Sequence, residues 1–138
     1  MTQHIILDTD TFSNLAMQRP QAESYASFLV GKVPALTFTS VGEVYFGAYK
    51  ANWGTSRISK IEAAMHMCVI LPFDENLPKI WAELKKTAHT GGHPLAQSAH
   101  SNDLWIAACA VYYDAPLLTA NVRHFRGLAP SLHLIDGS

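Results

Sequence analysis

Acidic and amide side chains lie close behind several short apolar runs of this 138-residue sequence, and their chemistry stands out first. The residues concerned are Asp8, Asp10, Glu43, Asp103 and Asn121. Three or four carboxylates that converge in space repel one another and raise one another's pKa, which costs stability unless a cation lies among them. Their oxygen atoms are hard ligands, and the set contains no His or Cys. Such a cluster favours Mg²⁺ or Mn²⁺ over zinc or copper.

The apolar runs alternate along the chain with segments of helical spacing. Strands are predicted at HIILD, ALTFT, CVILPF, PLLTA and LHLI. A helix is expected to follow the first strand from the stretch TDTFSN. Further helices are predicted over 22–30, 40–53, 57–67, 75–88 and 103–114, with a helical turn from Asn121. Short, nearly all-apolar strands that alternate with helices predict an α/β fold, a three-layer α/β/α sandwich around a parallel sheet of four to five strands. Ligands bind at the carboxyl ends of such strands, so the acidic residues should meet there.

Composition and charge limit the class of protein. The chain is 49% hydrophobic and carries ten Lys plus Arg against eleven Asp plus Glu, which predicts one folded domain over 1–138. A net charge of −1 argues against binding nucleic acid by bulk charge alone, so such a partner would need a metal or a local basic patch. No apolar run reaches the roughly 18 residues of a membrane span. Two cysteines without CxxC spacing, Cys68 and Cys109, fit a reducing cytoplasm.

Helix capping is an alternative role for several of these polar residues. Ser40 and Glu43 have the spacing of an S-x-x-E capping box, and Asn102 stands at a predicted helix start. Asp10 and Asn121 could cap helices in the same way. For any one residue, capping is the more economical interpretation. For the whole set it is not, because Ser or Thr would cap equally well and capping gives no reason for acids to gather at successive strand ends.

Four segments resemble the sequence motifs of PIN-domain ribonucleases. In chain order they are ILDTDTFS, SVGEVYFG, SNDLWIAACAVYYDAPLLT and TANVRHFRGL. Their order and spacing are most similar to the VapC-type toxins of bacterial toxin–antitoxin pairs, and the resemblance covers nearly the whole chain. It implies an endoribonuclease that uses Mg²⁺ or Mn²⁺ and leaves a 5′-phosphate and a 3′-hydroxyl. It also implies a small antitoxin protein as partner, a homodimer, and a larger complex with the antitoxin.

The resemblance assigns roles to individual residues. It implies that Asp8, Glu43 and Asp103 bind the metal and that Asn121 completes the catalytic set. Many relatives carry an acid at the position of Asn121, so a second metal site would be weaker here. Asp10 stands where the first motif commonly has Asn, which restores a carboxylate nearby. Thr119 is a possible accessory hydroxyl, with a purely structural role as the alternative.

Basic and aromatic residues supply candidate contacts with partners. The candidate RNA contacts are Lys85, Lys86, Arg123 and Arg126, with solvated surface charge as the alternative. The candidate antitoxin contacts are Tyr45, Phe46, Tyr49 and Trp53, with a fully buried helix as the alternative. Two glycines and a proline interrupt the spacing of three histidines, which are interpreted as loop residues rather than metal ligands. These histidines are His89, His93 and His100.

Two other functions remain open. The segment DTDTF approaches the DxDx[TV] motif of haloacid-dehalogenase-type phosphatases, in which Asp8 would be the nucleophile. Phe12 stands where that motif expects Thr or Val, and no acidic pair follows PLLTA. The second alternative is a PIN-like module that binds its partner and has weak catalysis because of Asn121.

Overall fold

The computed structural model describes residues 3–138; Met1 and Thr2, which belong to the predicted domain 1–138, lie outside the described residues. The strands are β1 His4–Leu7, β2 Val33–Thr37, β3 Val69–Leu71, β4 Leu117–Thr119 and β5 Leu134–Asp136. The helices are α1 Thr9–Ala16, α2 Ala26–Leu29, α3 Phe38–Lys50, α4 Thr55–His66, α5 Leu77–Gly91, α6 Ser101–Tyr112 and α7 Val122–Phe125. Short 3₁₀ helices cover Pro20–Ser24, Pro94–Ala96 and Ser98–His100. None of the helices within 3–138 combines the length and the apolar character that crossing a membrane requires.

The five strands form one parallel sheet in the order β3-β2-β1-β4-β5. The chain builds outward from β1 through β2 to β3, then returns to place β4 on the other side of β1. The order therefore reverses between β1 and β4. In open α/β sheets this reversal opens a crevice at the carboxyl ends of the strands, where ligands bind. The prediction of a parallel sheet is confirmed, with five strands.

Helices cover both faces of the sheet because the side chains of β1 alternate between two apolar clusters. Ile5 and Leu7 are buried with residues of α1, α3 and α4, which include Phe12 and Ile61. Ile6 is buried in the other cluster, with residues of α5, α6 and α7 such as Ile106. The predicted three-layer sandwich is confirmed, and its middle layer is buried on both sides.

The predicted bounds of all five helices differ from those observed, and two of these differences have a clear local cause. The helix expected over 22–30 is divided into the 3₁₀ helix Pro20–Ser24 and the short α2. Pro at the start of the first piece and the buried ring of Tyr25 at the junction favour this division. The helix expected to begin at Ser40 begins at Phe38, because the hydroxyl of Thr37 accepts a hydrogen bond from the backbone N–H of Ser40 at 3.0 Å.

Candidate active site

Asp8 lies at the junction of β1 and α1, beside the point where the strand order reverses. Its Oδ1 caps α1 by accepting a hydrogen bond from the backbone N–H of Thr11 at 2.9 Å. Its Oδ2 accepts a hydrogen bond from the hydroxyl of Thr119 at 2.6 Å. Thr119 ends β4 and is fully buried, so it holds Asp8 from the neighbouring strand. Thr119, the predicted accessory residue, therefore contacts Asp8, a predicted metal ligand, directly.

Glu43 projects from α3 and is tied to α6 by a side-chain amide. Asn102 Nδ2 donates to Glu43 Oε2 at 2.8 Å and to the hydroxyl oxygen of Thr9 at 3.2 Å. The hydroxyl of Thr9 donates in turn to Ser40 Oγ at 3.1 Å. Asn102 thus joins three helices around Glu43, a role that the sequence interpretation did not assign to it. Its position directly before Asp103, a predicted metal ligand, was the available signal in the sequence.

The capping roles considered for these residues are wrong in the structure. Thr37 caps α3, so Ser40 and Glu43 form no capping box, and Ser40 Oγ instead accepts hydrogen bonds from Thr37 and Thr9. Asp8, not Asp10, caps α1. The cap position of α6 belongs to His100, which makes no side-chain cap bond. Asn121 stands at the cap position of α7, likewise without a side-chain cap bond.

Asp103 lies in the first turn of α6 and faces two histidines. His124 Nε2 of α7 is 2.9 Å from Asp103 Oδ2, and His100 Nδ1 is 4.0 Å from the same oxygen. Sequence reasoning missed His124 altogether and interpreted His100 as a loop residue. The sequence signal for this contact was the H-x-x-D spacing of His100 and Asp103 at the start of a helix, followed by His124 after the next strand.

The charges of these carboxylates act on one another. Partial burial raises the pKa of Glu43, a hydrogen bond from Asn102 lowers it, and the negative charges of Asp103 and Asp10 raise it further. Burial also raises the pKa of Asp103, which the hydrogen bond and charge of His124 lower and the charge of Asp8 raises. Both carboxyls carry a net upward shift in the metal-free chain. A cation among them would remove this cost.

The donor set at the strand ends suits a divalent metal ion. Asp8, Glu43 and Asp103 come from three different elements, and each has at least one carboxylate oxygen fixed by a hydrogen bond from a neighbouring residue. Burial is the largest cause of the raised pKa of Glu43 and of Asp103, and the charges of neighbouring carboxylates add to both shifts. Hard oxygen ligands held in this way are typical of magnesium and manganese sites.

Asn121 lies next to this set. Its backbone N–H donates to the hydroxyl oxygen of Thr119 at 3.0 Å, which links it through one residue to Asp8. Its side chain is exposed and lines a groove of about 350 Å³ with Arg123, Arg126 and Asp136. The place of Asn121 in the catalytic set stays a prediction. The two arginines share that groove and are exposed to solvent.

The two candidate lysines lie on α5. Lys85 Nζ is 4.9 Å from the centroid of the Trp81 ring, in the geometry of a cation–π contact. Lys86 lines a shallow surface groove together with other α5 residues. The structure connects neither lysine with the carboxylates through the described hydrogen bonds. Their contact with RNA stays a prediction.

Aromatic side chains of α3 are exposed beside the carboxylates. Phe46 and Tyr49 are 64% and 63% exposed, so the alternative of a fully buried helix is wrong. Tyr45 is half-buried, and its hydroxyl donates to Glu62 Oε2 at 2.7 Å. A groove of about 380 Å³ includes Glu43, Phe46 and Trp53 in its lining. It therefore connects the candidate active site with an exposed apolar surface.

Comparisons with known proteins show which family the chain resembles. A model of the PIN domain family matches residues 5–129. Ribonuclease VapC1 of Haemophilus influenzae strain R2866 is 28% identical over 123 residues, which are 88% of this chain and 89% of the relative. The structure of VapBC-1 from nontypeable Haemophilus influenzae has a TM-score of 0.79 and 26% identity and covers 98% of both chains.

A second solved structure shares the fold at lower identity. It is VapBC2 from Rickettsia felis bound to a DNA fragment from its promoter, with a TM-score of 0.82 and 22% identity over 97% of this chain and 98% of the other. The family model spans most of the chain, from β1 to the segment that follows α7. This chain therefore belongs to the PIN domain family.

Proposed function

We propose that this chain is a metal-dependent endoribonuclease and acts in the cytoplasm as the toxin of a toxin–antitoxin pair. The observation that carries the proposal is that the charge of Asp103 acts on Glu43 and the charge of Asp8 acts on Asp103, at the sheet edge where the strand order reverses. The similarity to Ribonuclease VapC1 and to the VapBC-1 structure supports it. The two cysteines are free thiols, in keeping with a reducing compartment.

The protein's own residues prepare the site. Asp8, Glu43 and Asp103 would hold a Mg²⁺ or Mn²⁺ ion, with Asp10 as an accessory carboxylate and Asn121 completing the catalytic set. A bound divalent ion supplies charge neutralisation at the scissile phosphate and activation of the attacking water. Hydrogen bonds keep the carboxylates in place before the substrate arrives, since Thr119 holds Asp8 and Asn102 holds Glu43. Such supporting partners commonly contribute 10- to 100-fold (roughly) to metal affinity or activity.

The groove beside Asn121 is the proposed path of the RNA backbone. Arg123 and Arg126 line it, and guanidinium groups bind phosphate oxygens with paired donors. These contacts position the substrate without reading its sequence. Lys85 and Lys86 remain secondary candidates, because Lys85 already contacts an aromatic ring.

The exposed aromatic surface of α3 is the proposed antitoxin site. Phe46 and Tyr49 form it, with Tyr45 and Trp53 at its partly buried base. An amphipathic segment of a small protein would cover their apolar rings and could follow the groove towards Glu43. A homodimer of this chain and a hetero-oligomer with the antitoxin complete the proposal.

RNA cleavage by the purified chain tests the proposal. We expect cleavage in Mg²⁺ or Mn²⁺, no cleavage in EDTA, and a loss of about 100-fold or more in Asp8→Asn. Asn caps helices as well as Asp does, so this variant keeps the start of α1. Asp114→Asn is the matched control, because Asp114 is exposed and has a φ of 49°, a conformation that Asn tolerates. It should cleave as the original chain does.

The same preparation distinguishes the alternatives. Absence of metal-dependent cleavage from a folded chain would overturn the nuclease proposal. Transfer of a phosphate group to Asp8 would favour the phosphatase, although both oxygens of Asp8 are already in hydrogen bonds. Tight antitoxin binding without cleavage would favour the PIN-like binding module.

A further inference from the structure

A cluster of two imidazoles and one carboxylate lies at the start of α6. It consists of His100, Asp103 and His124, whose ligand atoms all lie within 4.8 Å of one another. His124 is held in α7 and packs edge-to-face against His100, with 4.5 Å between the ring centroids. Neither imidazole belongs to the proposed Mg²⁺ site, which uses oxygen ligands only.

Support of Asp103 alone does not account for both histidines. The hydrogen bond from His124 at 2.9 Å already fixes Asp103 Oδ2. His100 Nδ1 is 4.0 Å from the same oxygen, beyond hydrogen-bonding distance, yet its ring faces the pair. One hydrogen bond is enough to position the Asp103 carboxylate, yet three potential metal ligands converge here.

We propose that His100, Asp103 and His124 form a binding site for a transition-metal ion that prefers imidazole, of the class of Zn²⁺ or Co²⁺. Two imidazoles and a carboxylate are a common ligand set for such ions, whereas Mg²⁺ prefers oxygen. This proposal goes beyond the proposed nuclease chemistry and is based on the positions of the two histidines. It shares only Asp103 with the Mg²⁺ site.

The distances fit such an ion after a small movement. Ligand atoms about 2.0–2.1 Å from a tetrahedral ion lie about 3.3 Å apart. The pair at 2.9 Å and the pair at 4.0 Å fall on either side of this separation, so shifts of less than about 1 Å bring the ligands into place. His100 has a non-helical backbone, with φ −109° and ψ 19°, directly before α6. Its ring can therefore turn without unwinding the helix.

The cluster is open enough for an ion to enter and for a fourth ligand to bind. The side chains of His100, Asp103 and His124 are 34%, 32% and 15% exposed. Closed structural zinc sites use four protein ligands, whereas sites with three protein ligands leave one position for water or substrate. The site is accordingly of the open type and exchanges its metal with solvent.

Titration of the untagged chain with Co²⁺ in excess Mg²⁺ tests the proposal, because Mg²⁺ occupies oxygen-ligand sites and Co²⁺ reports its ligands by visible absorption. We expect one tight Co²⁺ per chain, and affinity at least about tenfold weaker in His100→Ala and in His124→Ala. His133→Ala is the matched control, because His133 Nε2 is 3.9 Å from Asp114 Oδ1 in a surface pair that lacks a second histidine. It should bind Co²⁺ as the original chain does.

Equal Co²⁺ affinity in the original chain and in His100→Ala would overturn the proposal. That variant is informative even if His124→Ala is poorly folded, since it removes a ligand without removing a hydrogen bond to Asp103. Loss of Co²⁺ binding in Asp8→Asn but not in the histidine variants would also overturn it. Failure of the nuclease proposal would appear separately, as absent Mg²⁺-dependent cleavage with Co²⁺ binding intact.

Discussion

At the residue scale, the hydroxyl of Thr119 is the contact on which the position of Asp8 depends most directly. It is fully buried and donates to Asp8 Oδ2 at 2.6 Å. A hydrogen bond to a charged group contributes about 1.5–3 kcal/mol, and its loss leaves a carboxylate oxygen unpaired. We expect Thr119→Val to lower the free energy of unfolding by about 1–3 kcal/mol in urea denaturation and to weaken Mg²⁺ binding in calorimetry. Thr119→Ser should restore most of both, and a stable Thr119→Val with full Mg²⁺ affinity would contradict this role.

The raised pKa of Glu43 predicts a pH-dependent stability of the metal-free chain. An acid whose folded pKa is raised contributes stability that is fully present below its unfolded pKa, 4.5 here, and is lost as pH rises through the folded pKa. At neutral pH the charged Glu43 therefore destabilises the metal-free fold. In EDTA at pH 7, Glu43→Gln should have a higher free energy of unfolding than the original chain. At pH 4 this gain should be smaller. Urea denaturation measures both.

Glu23→Gln serves as the control, because Glu23 is exposed on the 3₁₀ helix after α1. It should show no comparable difference between the two pH values. With Mg²⁺ at pH 7, the original chain should instead be more stable than Glu43→Gln, since only the original chain has the full set of carboxylates. A Glu43→Gln variant that is equally destabilised at both pH values would argue against uncompensated charge at the site.

At the element scale, the first turn of α3 determines where Glu43 lies. Thr37 caps this helix, and its hydroxyl also contacts the buried Ser40 and the partly buried Thr39. Loss of a Thr cap costs about 0.5–2 kcal/mol. We expect Thr37→Ala to lower the free energy of unfolding by about 1–2 kcal/mol and to weaken Mg²⁺ binding, because the helix start also sets the position of Glu43. Thermal denaturation and calorimetry measure the two effects, and Thr37→Ser should rescue both.

At the scale of the whole molecule, the strand order brings distant parts of the chain to one edge. Asp8 and Asp103 are 95 positions apart, yet the return of the chain to β4 places α6 and Thr119 beside the end of β1. The same arrangement leaves α3 at the surface, with its aromatic residues open to a partner. The proposed catalytic and antitoxin surfaces are consequently adjacent, so an antitoxin bound to α3 would also restrict access to the carboxylates.

The antitoxin surface can be tested without disturbing the fold. Phe46 and Tyr49 are mostly exposed, so Phe46→Ser with Tyr49→Ser should change the free energy of unfolding by less than about 0.5 kcal/mol per residue. Affinity for the cognate antitoxin should fall by about tenfold or more, because aromatic residues dominate interface energies. Met67→Ser removes exposed apolar area at the end of α4 and is the control. Unchanged calorimetric affinity in the double variant would assign the antitoxin to another surface.

The sequence by itself determined the architecture and the predicted ligands. Alternation of apolar runs with helical segments predicted all five strands, because a strand buried on both faces must be apolar along its whole length. The acids at the strand ends were recognisable because their types and order match a family motif. Local rules were less reliable at the starts of helices. The cap considered for Ser40 belongs to Thr37, and no side chain caps α6, where Asn102 was a candidate.

Only the tertiary structure decided which side chains meet. Asn102 bonds to Glu43, His124 to Asp103 and Thr119 to Asp8 across separations of 59, 21 and 111 residues. Those pairings depend on how helices pack against the sheet, which no local spacing encodes. Exposure of Phe46 and Tyr49 was likewise open in the sequence, because an apolar residue lies inside or outside according to what covers its helix.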